Sequence, residues 1–367
     1  MNTARVFDAT AQTGGNSAGQ IAGGTYPGGS ANTEQYNGTA WTEVNNLNTA
    51  RFDIFGTGTQ TSAIAASGYT TDWVTNTETW NGSSWTEVSE VNTGRKEGGS
   101  SGISATSALI FGGEGTPSST QYALTELWNG SSWTEVNDLN GAIYGTSGGG
   151  TQPAAIFTGG DNRSYNKTES WDGTSWTETT DLNTARAQMA GFGLATAGLI
   201  CGGDLYPVTS PTRLSVQTEL WNGSSWTEVN DLNTARTQIS GSGTATSAIA
   251  AAGHPGSGYS ADVELWDGTS WTETTNLNTA LEGRMGFGAN NTSAFVVGGR
   301  SPYQAITEHW NGSTWTEVAD MATARYNGSG MGSVDGLIAG GSTSGTTGSV
   351  TTEEFTANAV VSTVTTS

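Results

Sequence analysis

The sequence predicts an all-β chain built from eight similar units, and three observations carry that prediction. The wording Thr-Glu-Leu-Trp-Asn-Gly-Ser-Ser-Trp-Thr-Glu-Val-Asn-Asp-Leu-Asn-Thr-Ala-Arg, intact from Thr218 to Arg236, returns in variant form along all 367 residues. The second Trp of each copy falls at Trp41, Trp85, Trp133, Trp176, Trp226, Trp271 and Trp315, in steps of 44, 48, 43, 50, 45 and 44 residues. Gly, Ser and Thr are too dense for helix, and no window shows the helical apolar period. A unit this short cannot bury its apolar face alone, so neighbouring copies must stack.

Four short strands follow in order within a copy, as the sixth shows. Thr237 to Gly243 is the first, and Gly241 and Gly243 keep it slim, as an innermost strand crowded by its neighbours must be. Ser247 to Ala252 is the second, an apolar run ending at a glycine. Val263 to Trp266 and Trp271 to Thr274 are the third and fourth. Gly, Asn, Asp and Ser separate them, which is the punctuation of an all-β repeat. The Asn-Gly or Asp-Gly step between the last two strands signals a hairpin. A two-residue turn at Asn222-Gly223 would set Trp221 against Ser224, whereas a loop from Asn222 to Ser225 would set the two Trp against each other. Strand parity puts both indoles on one face either way.

The eighth copy lacks the Trp pair but keeps the frame through Ala339-Gly340-Gly341, Glu353-Glu354-Phe355 and Val360. A ring of four-stranded blades fits best, because it leaves only short, protected edges. Blades fall at approximately 1–45, 46–90, 91–138, 139–181, 182–231, 232–276, 277–320 and 321–367. Eight blades is the direct reading and seven the alternative.

The repeated residues read as scaffold. They are Trp41, Trp80, Trp85, Trp128, Trp133, Trp171, Trp176, Trp221, Trp226, Trp266, Trp271, Trp310 and Trp315, with Arg5, Arg51, Arg95, Arg186, Arg236 and Arg325. Each Arg stands where a first strand begins and is expected to pair with a repeated Glu of the same or the next blade. The competing reading is a central ring of arginines that binds an anion. Copy four has Ile143 or Tyr144 at this place, and copy seven has Leu281.

Net charge is −21, and fifteen of the 33 acidic residues are two glutamates repeated beside the Trp pair. That balance argues against nucleic acid, which needs clustered Lys and Arg. The single Cys201 excludes an internal disulfide framework. No apolar run is long enough to insert in a membrane, and a basic, apolar leader is not seen at the start. His254 and His309 lie in different blades, away from ligand spacing, so no metal or other cofactor is expected. No blade-specific acid, base and nucleophile stand together, which points away from an enzyme.

What varies between copies is the loop from second to third strand. Seven of the eight loops carry an aromatic: Tyr26, Tyr69 with Trp73, Tyr122, Tyr165, Tyr206, Tyr259 and Tyr303. The longest, Asp204 to Val216, adds Arg213. Variable loops on a rigid scaffold are how a recognition face is built. The rings either stack on a ligand or fold back over their own blade.

The order Gly202-Gly203, Glu219-x-Trp221, Trp226, Arg236, repeated as Gly159-Gly160, Glu169-x-Trp171, Trp176, Arg186, resembles the kelch repeat of β-propellers. The chain departs from it in favouring Trp for Tyr, in a shorter spacing to the second Trp, and at Ser67-Gly68 and Ala252-Gly253. The wording is also similar to low-divergence repeat proteins of marine bacteriophages. That resemblance implies a non-enzymatic virion module, either a fibre, a decoration or an adhesin. Its partners would be other virion proteins, a host-surface glycan or protein, or further copies of the chain. The alternative is a soluble bacterial propeller, extracellular or on the cell surface, that binds carbohydrate or protein.

Overall fold

The computed structural model describes residues 9–12, 19–24, 29–36, 41–117, 120–144, 147–159, 166–205, 213–281, 285–299, 304–318, 320–321, 324, 329–332, 336–339, 342–344, 347–348 and 352–355. The chain divides into two compact units, Met1–Asp181 and Leu182–Ser367, which hold copies one to four and five to eight.

Among the described residues, copies one to seven each form a four-stranded antiparallel sheet with its strands in chain order, and copy eight forms a three-stranded one. In copy six the strands are Ser240–Thr244, Ser247–Ala251, Val263–Trp266 and Trp271–Glu273. The first starts later than the sequence predicts. Gln238 adopts a left-handed φ of 52°, which breaks the strand, and Thr237 pairs with His254 instead.

The hairpin between third and fourth strands takes the longer of the two expected forms. Trp221 stands directly opposite Trp226, so the loop is Asn222 to Ser225. The Asn222 side chain sets this length. Its Oδ1 accepts hydrogen bonds from the backbone N–H groups of Ser224 and Ser225, both at 2.9 Å. Gly223 follows with φ 95°, where a side chain would strain. Asp172 and Asp267 build the same turn in copies four and six. The Thr174 hydroxyl and the turn's N–H groups hold the Asp172 carboxyl below its ordinary value.

No copy owns its core. Second strands are apolar on both faces, and alternate residues enter different clusters. Ala108 and Ile110 join Phe55, Ile64, Trp128 and Trp133, whereas Leu109 and Phe111 join Phe157, Trp171 and Trp176. The period of two along a strand therefore feeds two neighbouring interfaces at once. In unit two, Leu199 and Cys201 pack with Ala248, Ala250 and Trp271, while Ile249 and Ala251 pack with Ala294, Val296 and Trp315. First strands lie side by side within each unit, Phe55–Thr59 beside Gly99–Ser104 and Ser240–Thr244 beside Met285–Asn290. Glycine makes this possible, since a Cβ at Gly286 would meet the Gly241 backbone nitrogen of the neighbouring first strand at 3.0 Å.

The paired Trp residues stitch the stack. Ring centroids within a pair lie 5.4 Å apart in copies three, five and six. The first indole serves its own copy, as Trp80 Nε1 donates to the Gln60 carbonyl at 2.8 Å. The second reaches back to the preceding copy. Trp85 Nε1 donates to Thr33 Oγ1 at 2.8 Å, and Trp133, Trp176 and Trp271 do the same to Thr77, Thr125 and Thr218. These four indole N–H groups are thus satisfied where they are buried, whereas Trp315 Nε1, which has Val263 in place of the Thr, is buried without a partner.

Candidate functional site

In copies two, three, five and six the loop edge is held from beneath by a clamp of three side chains. Arg51 donates to Glu78 Oε1 at 2.6 Å, and both side chains are fully enclosed. The other oxygen, Oε2, accepts the backbone N–H of Asn48 at 2.6 Å and its Nδ2 at 2.8 Å. The same arrangement recurs as Arg95–Glu126–Asn92, Arg186–Glu219–Asn183 and Arg236–Glu264–Asn233. Arg and Glu belong to the same copy, which settles the choice the sequence left open. Burial draws the Arg51 and Arg186 guanidinium groups below their usual pKa, against the pull of Glu78 and Glu219. These four arginines are wholly buried, so none can present its charge to an external anion. Arg5 and Arg325 lie outside the described residues, as does the side chain of Trp41.

Backbone bonds tie the clamp to the copy before it. Gly68 N–H donates to the Arg95 carbonyl at 3.1 Å, and Gly203 N–H to the Arg236 carbonyl at 3.0 Å. The Gly-Gly doublet is therefore the joint into which the next copy's Arg plugs. Ser67 and Ala252 replace its first Gly at φ 56° and 59°. The Ser67 hydroxyl compensates by donating toward the Arg95 carbonyl at 2.7 Å and accepting the Arg95 N–H at 2.8 Å.

Just past each Arg the chain turns outward on the loop edge. The next residue pairs with the one after the doublet, giving Phe52 with Tyr69, Lys96 with Glu114, Ala187 with Asp204 and Thr237 with His254. The residue after that is left-handed in all four copies, at Asp53 (φ 53°), Glu97 (56°), Gln188 (53°) and Gln238 (52°). Sequence reasoning missed these positions, because it looked for variation only in the longer loop. The available signal was that near-constant Asn-Thr-Ala-Arg is followed at once by residues that differ from copy to copy.

In unit one these positions gather charge and aromatic surface. Lys96 Nζ lies 2.9 Å from Glu97 and 3.4 Å from Asp53, and 5.8 Å from the Tyr69 ring centre. Desolvation works against the Lys96 ammonium, but Glu97 and Asp53 more than offset it, so its pKa stands above the usual value. Burial raises the Asp53 carboxyl despite Lys96 beside it. Tyr69 is half-buried, edge-on between Phe52 and Trp73 at 5.4 and 5.3 Å. In unit two, His254 Nδ1 accepts the Gly256 N–H at 3.1 Å, which places the ring proton on Nε2 when the imidazole is neutral, and Tyr259 packs edge-on against it at 6.2 Å. Thr237 Oγ1 reaches the Gln188 carbonyl at 3.3 Å.

The expected crown of aromatics is thus only partly of one kind. Tyr122 folds back, its hydroxyl donating to the Thr116 carbonyl at 3.0 Å. Tyr69 also donates within its own loop, to the Thr71 carbonyl at 3.1 Å, yet forms a row with Phe52 and Trp73. Arg213 is 54% exposed and ion-paired with Asp204. Tyr26, Tyr165, Tyr206 and Tyr303 lie outside the described residues.

Elsewhere, burial pushes the Cys201 thiol up to about 12, which leaves it unreactive. His309 stacks on Phe295 at 4.4 Å, and burial lowers its pKa. Among the described residues no group of three or more His, Cys, Asp and Glu is placed to hold a metal ion, and no helix is long and apolar enough to cross a membrane. No protein-family model matches the chain, and no curated protein matches it.

Proposed function

We propose that the chain is a kelch-like β-propeller of eight blades that serves as a non-enzymatic recognition module, binding carbohydrate or protein through its loop edge. One observation carries this reading. The shared residues that are buried form the clamp, the joint and the Trp stitch, while the second-to-third-strand loops and the residues past each buried Arg, in which the copies differ, lie on one edge of their sheets. Variable loops on a rigid frame are where recognition residues concentrate. Closure into a ring would cover the sheet faces left open at the ends of each unit, as second strands inside a unit bury both of their faces.

The test is adsorption of the purified protein to bacterial cells, with Trp73→Ser and Arg213→Ser as variants. Adsorption lost with an unchanged melting temperature supports recognition at the loop edge. Adsorption that both variants retain in full overturns it. Cosedimentation of the native protein with capsid or tail proteins would place the same module in a virion.

A further inference from the structure

We propose that the residues just past the buried arginines form, in each unit, a subsite for neutral oligosaccharides. This rests on the recognition reading above and names its ligand class.

The first argument is conformational. A left-handed φ disfavours any residue with a Cβ, and glycine takes it freely. The chain has 54 glycines and uses them for left-handed φ in its hairpin turns, at Gly82, Gly130 and Gly223 among others. At the second position past the buried Arg it instead carries Asp53, Glu97, Gln188 and Gln238. Strain kept in four described copies, at one place and always under a carboxylate or carboxamide, points to a use for those side chains.

The second argument is chemical. Carboxylates accept hydrogen bonds, carboxamides both accept and donate, and Lys96 donates beside them. A sugar hydroxyl gives and takes at once, and so matches such a mixed set. Aromatic surface adjoins both sets, Phe52 and Tyr69 in unit one and Tyr259 in unit two, to receive the apolar C–H face of a sugar ring. Adjacent copies bring these groups within one side chain's reach, as Lys96 Nζ to Asp53 Oδ2 at 3.4 Å and Thr237 Oγ1 to Gln188 O at 3.3 Å show. The third argument is charge. A chain of net charge −21, with Asp53, Glu97 and Glu114 around a single lysine, repels anionic glycans.

Glycine variants test this, because they relieve the strain as they remove the side chain. Glu97→Gly and Gln238→Gly would be titrated calorimetrically with cellohexaose, maltohexaose and mannohexaose, and with a sulfated and a sialylated glycan for comparison. The expected result is binding of at least one neutral hexamer and of neither anionic glycan. Affinity should fall about tenfold or more in the variant of the unit that binds, with a melting temperature equal to or above that of the parent. The proposal is overturned if no neutral hexamer binds, if both variants bind as the parent does, or if lost binding comes with a lowered melting temperature. If the sugars fail while cell adsorption still depends on Trp73 and Arg213, recognition stands and only the ligand class falls.

Discussion

Copy three and copy four share a sheet design but differ beneath their loop edges. In copy three Arg95 and Asn92 together hold Glu126. In copy four Ile143 occupies the place of the arginine, 1% exposed and packed with Leu139, Phe157 and Trp176. Asn140 remains on Glu169, its N–H at 3.1 and 3.0 Å from the two oxygens and its Nδ2 at 2.8 Å from Oε2, with the Gly141 backbone beside it. Gly113 still donates to the Ile143 carbonyl at 2.7 Å, so the joint between copies is unchanged. The comparison teaches that the Asn–Glu contact sets the chain path, while the cation is exchangeable for an apolar side chain. That agrees with the general balance for buried ion pairs, whose desolvation offsets much of their attraction.

The sharpest way to break the comparison is to remove the carboxylate charge where a cation depends on it. Glu126→Gln leaves Arg95 buried without a counter-charge and should cost about 3–5 kcal/mol, read from urea unfolding followed by Trp fluorescence. Asn140→Ala comes next. It removes a side-chain hydrogen bond to a charged group that has no arginine to fall back on, a loss of about 1.5–3 kcal/mol, whereas Asn92→Ala should cost less because Arg95 remains. Arg95→Ile would turn copy three into copy four. It leaves the Glu126 carboxylate buried on Asn92 as Glu169 is on Asn140, and a cost below the roughly 3–5 kcal/mol of a broken buried pair is expected if the cation is exchangeable. An equal cost would refute the exchange.

The smallest effect is a pH dependence. Burial raises the Glu169 carboxyl above its ordinary value, against the hydrogen bonds from Asn140. The folded chain therefore binds this proton more tightly than the unfolded chain. The contribution to stability is complete below the unfolded pKa and is lost as pH rises through the folded one. Glu169→Gln should accordingly stabilise the protein at neutral pH, by under about 1 kcal/mol, and the gain should vanish in acid. A gain that persists below the ordinary glutamate range would refute this origin.

Much of the frame was legible in the sequence because it rests on local or strictly periodic signals. The second to fourth strands of copy six, the shared face of the two indoles and the pairing of each Arg with a repeated Glu follow from spacing, whereas the first strand starts three residues later than spacing predicts. The length of the hairpin loop did not. It depends on whether Asn222 Oδ1 captures the N–H groups of Ser224 and Ser225, and an Asn-Gly step is compatible with either outcome. The loop edge was half legible. The variable loop was found, but its partners past the arginine lie in contacts such as Lys96 with Asp53, 43 residues apart, which no local pattern announces. Whether a loop tyrosine faces outward or folds back, as Tyr122 does, depends on the loop backbone, in that case the Thr116 carbonyl.

The backward reach of the second indole has a consequence for synthesis. Trp85, in the fourth strand of copy two, closes the apolar cluster that contains Ala22 of copy one and bonds to Thr33. A copy emerging from the ribosome can zip its own hairpins but stays uncovered on one face until the last strand of its successor is delivered. At typical elongation rates that wait is roughly two to ten seconds. Within each unit the nascent chain thus carries an open face at its growing end until the next copy's last strand arrives, and folding advances copy by copy in step with translation.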